Sequence, residues 1–205
     1  MRPPLPRLHA VTDERVARRP DLDQIAQALA IGGGFEIAFH ARGRALTGLE
    51  QYELAARLAV RPPARLFVND RLDIALAVPA AGIQLGTDSL PISAARTLNP
   101  SWWIGKSVHS KAQAEAARAQ GPDYLVVGPV YATASHPDRP PLGLDELREI
   151  AALDPELPVI AIGGITAPRV AEVRAAGAYG VAAIRALWDD AEPAAAARRM
   201  REELG

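Results

Sequence analysis

The chain has 205 residues, 49% of them hydrophobic and 23% charged, the composition of one ordinary globular domain with enough apolar material for a single sizeable core. Its 23 basic and 24 acidic side chains leave a formal charge of −1, which argues against the basic surface that nucleic acid or an anionic membrane selects. There is no cysteine, which excludes disulfides, thiolate metal sites and thiol nucleophiles; with no apolar run of signal or membrane-spanning length, the expected location is the cytoplasm.

Short apolar runs alternate with longer alanine-rich stretches along the whole chain, the pattern of βαβ units around a parallel sheet. The predicted strand at 8–12 precedes a helix at 22–31, and the strand at 35–40 leads to a helix at 49–60. Strands at 65–69, 82–85 and 102–105 are followed by helices at 71–78, 92–98 and 111–120. The last three pairs are 124–128 with 144–153, 159–162 with 167–176, and 180–184 with 192–203. Eight strands and eight helices predict an α/β fold: a single (β/α)8 TIM barrel over residues 1–205, with the barrel core at about 7–203. Counting alone leaves an open doubly wound sheet as the alternative. Ser110 before the fifth helix, Thr166 and Pro168 at the start of the seventh and Gly177 after it mark boundaries. The longest connection, 129–143, carries four prolines and would lie on the catalytic face of a barrel.

The most informative stretch is Pro158-Val-Ile-Ala-Ile-Gly-Gly-Ile-Thr166, a buried strand running into Gly163-Gly164 and then a helix. With the end of strand eight at Ile184-Arg185, it forms the loop pair where barrels frequently hold phosphate on backbone N–H groups. The plain alternative is a tight turn. Asn69 and Asp70 end strand three, where function concentrates in a barrel, although Asp70 could instead cap the next helix. His9 reads as an interior residue, Tyr131 as a candidate for stacking on a heterocycle, and the adjacent Trp102 and Trp103 as packing residues on opposite faces.

Six segments occur in an order that carries a resemblance: Leu8-His-Ala-Val-Thr-Asp13, Leu66-Phe-Val-Asn-Asp70, Ile83-Gln-Leu-Gly86, Ile104-Gly-Lys-Ser-Val-His109, Gly128-Pro-Val-Tyr-Ala-Thr133 and Ile162-Gly-Gly-Ile165. From about Leu8 to about Trp188 the chain resembles the thiamine phosphate synthase and TenI superfamily. The resemblance implies a (β/α)8 barrel with a small phosphorylated thiazole or thiamine phosphate as ligand, and it leaves a homo-oligomer open. It assigns the ligand face to Asn69, Ser107, His109, Thr133, Ser135 and the Gly163, Gly164, Ile184, Arg185 cradle.

The synthase branch joins a pyrimidine diphosphate to a thiazole phosphate with magnesium, whereas the TenI-like branch includes tautomerases that shift a proton on the thiazole phosphate. Three departures favour the second branch. The synthase Arg-x-Lys pair matches His40 and Arg42; the second of two acidic magnesium ligands, of which Asp70 is the first, matches Ser89; and the lysine of Thr-x-Thr-Lys matches His136. The expectation is therefore a thiazole tautomerase with no metal or other cofactor, with His136 or His40 transferring the proton. Pro129, where such tautomerases place a histidine, argues the other way. A synthase using Asp70 and magnesium is the alternative, and a non-catalytic barrel binding thiamine phosphates is a third reading.

Overall fold

The computed structural model describes residues 2–134 and 140–205. Eight parallel strands close in sequence order: β1 Leu8–Val11, β2 Ile37–Ala41, β3 Arg65–Asn69, β4 Gly82–Leu85, β5 Trp103–Val108, β6 Tyr124–Val127, β7 Val159–Ile162 and β8 Gly180–Ala183. β8 pairs with β1 through Leu8↔Val181, His9↔Ala182 and Ala10↔Ala183, so the sheet has no edge. This is the expected (β/α)8 barrel, not the open sheet.

The helices among the described residues are α1 Glu14–Ala17, α2 Leu22–Gly33, α3 Gly48–Ala59, α4 Leu72–Ala77, α5 Ile92–Leu98, α6 Lys111–Arg118, α7 Gly143–Ala152, α8 Ala167–Ala175, α9 Arg185–Trp188 and α10 Pro193–Leu204. α3 starts at a capping box: Thr47 Oγ1 accepts from Glu50 N at 3.2 Å while Glu50 Oε2 accepts from Thr47 N at 2.8 Å. α6 starts at Ser110, whose hydroxyl accepts from Gln113 N, as the sequence suggested.

Alternation along each strand builds two cores. Leu8, Ala10, Phe39, Ala41, Val68 and Ile104 face the helices in the larger one. Val11, Ala38, Phe67, Tyr124, Val126 and Ile160 fill the barrel axis. Gly105 makes room there, because a Cβ at that position would come within 2.2 Å of the Tyr124 ring. Trp102 is buried, whereas Trp103 takes Arg2 over its ring at 3.5 Å, so the two do part to different environments.

Two strand boundaries differ from expectation in ways that move the site. A 3-10 turn at Gly34–Glu36 delays β2, which then runs through Ala41. His40 thus lies inside the strand, paired in register with Val11 and Phe67, and Arg42 is the first residue beyond it. β5 extends three residues past its expected end, to Val108, because Lys106 is accommodated in the buried sheet by donating to the Gly86 carbonyl at 2.6 Å. The short helices α1 and α9 had no counterpart in the sequence reading.

Candidate active site

A cavity of about 550 Å³ opens at the C-terminal ends of the strands. Its β7–β8 wall is made of backbone. The amides of Gly164, Ile184, Arg185 and Ala186 donate to no backbone carbonyl among the described residues, and these residues line the cavity. Their N–H groups, with the first turn of α9, leave backbone donors open to the cavity, an arrangement suited to an anion. The shape of the turn depends on glycine. Gly163 and Gly164 adopt φ of 99° and 66°, and a Cβ on Gly164 would sit 2.7 Å from the Cβ of Tyr131 and 2.8 Å from the Ala132 carbonyl oxygen. The loop after β6 is laced to this turn by Val130 N to Ile162 O at 2.8 Å and Tyr131 N to Gly163 O at 3.0 Å. Arg169 supports it from the side, donating to the Gly164 carbonyl at 2.6 Å and lying 4.2 Å from the Tyr131 ring centre. Tyr131 is thereby occupied: its hydroxyl donates to Glu172 at 2.6 Å, and burial together with that bond pushes its pKa up to about 12. It does not line the cavity, so the expected heterocycle-stacking role is replaced by a supporting one.

The wall formed by the exits of β2, β3 and β4 is made of side chains. Arg42, Arg44, Asn69, Asp70 and Thr87 line it. Thr12 holds the β2 exit: its Oγ1 accepts from Arg42 N at 2.9 Å and lies 2.9 and 2.8 Å from the carbonyls of His40 and Arg42. Glu14 Oε1 accepts from Ala45 N at 2.8 Å and ties down the following loop. Burial pulls the Arg42 pKa below its ordinary value, but a guanidinium stays charged at neutral pH. Asp70 adopts φ of 61°, the left-handed conformation that few non-glycine residues hold, and its Oδ1 accepts from Gly86 N at 2.8 Å and from the Ser89 hydroxyl. Gln51 of α3 donates to the Asn69 carbonyl at 3.1 Å, and Lys106 holds Gly86 from behind. Thr12, Gln51 and Lys106 were missed in the sequence because each acts on backbone carbonyls that only the fold brings near.

The floor carries buried histidines. His9 Nδ1 lies 2.7 Å from His40 Nε2, and His40 Nδ1 lies 3.2 Å from Asn69 Oδ1. Burial is the main cause that lowers His9 to about 4 and pulls His40 well below the ordinary histidine value. Ser107 accepts from Gln84 Nε2 at 2.9 Å, and His109 donates from Nδ1 to the Gly128 carbonyl at 2.5 Å. Both line the cavity with Thr133, so these expected site residues do converge. Ser135 and His136 lie outside the described residues.

A family model described as thiamine monophosphate synthase matches residues 8–187. The chain belongs to the thiamine monophosphate synthase family. The thiamine-phosphate synthase of Methanoculleus marisnigri is 42% identical over 204 residues, spanning 96% of this chain and 94% of that protein. That of Chloroflexus aurantiacus is 38% identical, spanning 95% and 91%. Among solved structures, the thiamine phosphate pyrophosphorylase of Pyrococcus furiosus superposes with a TM-score of 0.83 at 32% identity, covering 97% of this chain and 95% of that one. A 3-hexulose-6-phosphate synthase superposes at 0.71 with 19% identity, a likeness of fold alone.

These relatives overturn the tautomerase expectation, since the full-length matches carry the synthase name. A physical reason accompanies the correction. The expectation placed the family's Arg-x-Lys at His40 and Arg42 and so counted one permanent cation as lost. β2 ends at Ala41; His40 lines the cavity from within the strand, and Arg42 and Arg44 line it from just beyond its end. This wall therefore carries two permanent cations, Arg42 and Arg44, rather than one.

Proposed function

We propose that this chain couples a pyrimidine methyl diphosphate to a thiazole phosphate, forming thiamine phosphate and releasing inorganic diphosphate. The observation that carries the reading is a single cavity with two separate donor-bearing walls, one of backbone amides and one of cationic side chains. The backbone cradle at Gly164 and Arg185 suits a phosphate monoester. The Arg42, Arg44 and Asp70 group follows β2 and β3, and β3 lies across the eight-stranded barrel from β7. Two phosphorylated substrates could therefore enter with their charged ends apart and their rings between.

The chemistry asks little of proton transfer. The ring nitrogen of the thiazole gives its electron pair to the methylene carbon of the pyrimidine. The bond from that carbon to the diphosphate oxygen breaks, and the oxygen keeps the pair. No proton moves in this exchange, so Pro129 in place of a histidine removes nothing the reaction needs. What the reaction does need is stabilisation of charge on the departing oxygens, and Arg42 and Arg44 supply two guanidinium groups suited to it.

Magnesium fits this wall in a particular way. Among the described residues no three His, Cys, Asp or Glu side chains converge on one point, but magnesium is commonly held by one or two carboxylates together with substrate phosphates. Asp70 would contribute one carboxylate and the diphosphate the other oxygens. A magnesium ion bound there supplies further neutralisation of the leaving group. Asp70 is held for that task by the Gly86 amide and by Ser89, which stands where the family places a second carboxylate.

The direct test is incubation of the purified protein with both substrates, with and without magnesium, following diphosphate release by phosphorus NMR. Formation of thiamine phosphate with equal release of diphosphate is expected. Saturable binding of both substrates without coupling would overturn the reading.

A further inference from the structure

The histidine pair on the cavity floor can be analysed by counting hydrogens. One end of the chain is fixed, because His9 Nε2 lies 2.9 Å from the Pro6 carbonyl, which can only accept. That nitrogen must carry hydrogen. The next contact, His9 Nδ1 to His40 Nε2 at 2.7 Å, needs one hydrogen between the two nitrogens. The last, His40 Nδ1 to Asn69 Oδ1 at 3.2 Å, again ends on an acceptor. Three contacts therefore require three ring hydrogens, whereas two neutral imidazoles bring only two. With Asn69 oriented this way the pair carries one net positive charge. Without that proton, the amide must turn so that Nδ2 donates to His40 Nδ1. The two states differ by one proton and a half-turn of Asn69.

We propose that His9 and His40 hold a single proton between them, absent from the free protein at neutral pH and taken up from solvent when an anionic ligand fills the cavity. The reading takes its ligand from the proposed function but needs only that the ligand be anionic. In the free cavity the surroundings oppose the charge. Arg42, just beyond His40 on β2, and Arg44 at the rim are cationic. Tyr124 of β6, 5.9 Å from His9 ring to ring, is kept neutral by burial. Phe67 of β3 stacks on His40 at 5.2 Å, and the wall residues Gln84 of β4, Ser107 of β5, Ile162 of β7 and Ala182 of β8 are uncharged. Asp70, beyond Asn69, is the acidic residue lining this cavity among the described residues. A bound diphosphate reverses the balance, since its charge offsets both guanidiniums and favours a cation below it.

The amide makes the coupling useful. In the protonated state Asn69 gives its oxygen to His40, leaving its NH2 group for ligand oxygens. In the neutral state one amide hydrogen is committed to His40 and the carbonyl oxygen is released, which an anion does not favour. His9 is thus a positioning residue: through His40 it sets the polarity of the Asn69 wall.

The chain contains four histidines, so ring-nitrogen NMR on histidine-labelled protein can resolve the pair. In the ligand-free protein, acidification from about pH 8 to pH 4 is expected to add about one proton to His9 and His40 together, with a midpoint below the ordinary 6.5. At pH 7, saturation with inorganic diphosphate is expected to convert the pair to its charged form. Calorimetry in buffers of different ionisation enthalpy should then show uptake of about one proton more than His9→Phe takes up. Relative to that variant, wild-type affinity for diphosphate should rise by up to about tenfold for each unit of acidification. Two rings that titrate independently near 6.5, or that stay neutral under saturating diphosphate, would overturn the proposal. The wild-type spectra decide this even if His9→Phe does not fold. Failure of diphosphate to bind would count against the proposed function, and the ligand-free titration would still judge the pair.

Discussion

The two walls of the cavity present hydrogen-bond donors of different kinds. The β7–β8 wall uses amides whose positions follow from a glycine turn and the start of a four-residue helix. The β2–β4 wall uses guanidiniums, a carboxylate and an amide held in place by Thr12, Gln51, Ser89 and Lys106. A backbone site is sensitive to side chains that intrude and indifferent to side chains that leave. A side-chain site behaves the other way round, and substitutions on the two walls should separate accordingly.

The largest effect is expected from Gly164→Val. The new side chain would sit at φ of 66° and press on Tyr131 and the Ala132 carbonyl. The left-handed conformation alone costs about 1–2 kcal/mol for an L-residue, and the close contacts add to it. Affinity for thiazole phosphate should fall by more than about 100-fold, measured by calorimetry on protein whose circular dichroism is unchanged. Wild-type affinity in that variant would remove the cradle from the site.

Next in size is Arg42→Gln. A hydrogen bond to a charged partner is worth about 1.5–3 kcal/mol, so affinity for the pyrimidine diphosphate should drop by roughly 10- to 100-fold. Thiazole phosphate binding should hold within about twofold. Equal losses for both substrates would mean that the walls do not divide the ligands as proposed.

The walls also differed in how far the sequence revealed them. Gly163-Gly164 after an apolar strand signals a turn and a nearby helix start whatever the exact strand boundary, so the backbone wall was legible. Side-chain sites depend on register. His40 was read as a proton-transfer candidate and Arg42 as a ligand contact, but the sequence reading ended the strand one residue early, at His40, and gave no part to Arg44, which also lines the cavity. The eight strands were legible because doubly covered parallel strands are continuous apolar runs. α1 and α9 were not, since four-residue helices are too short to show a period. The His9–His40 contact was hidden because it joins residues 31 positions apart.

A smaller effect concerns acid. Burial lowers the pKa of His9 to about 4 and that of His40 in the same direction. The unfolded chain therefore binds more protons than the folded one between about pH 6.5 and pH 4, and folding stability should decline as pH falls through that window. His9→Phe should flatten this dependence in thermal melts taken across the window. An unchanged slope would mean that the pair does not set the acid response.

The smallest effect should come from Arg185→Ala, and it tests the comparison from the other side. Arg185 is tempting as a phosphate ligand because it is cationic and sits at the cradle. Its side chain is nevertheless exposed, and what it offers the cavity wall is the amide at the start of α9, where Leu187 N and Trp188 N already bond to the Ile184 carbonyl. Alanine keeps that amide and raises helix propensity slightly. An exposed cation near a phosphate contributes little once water and salt screen it. Thiazole phosphate affinity should therefore change by less than about threefold in physiological salt, with the remaining difference shrinking as salt is raised. A loss as large as that of Gly164→Val would show that this wall too is built from side chains, and the distinction between the two halves of the cavity would not stand.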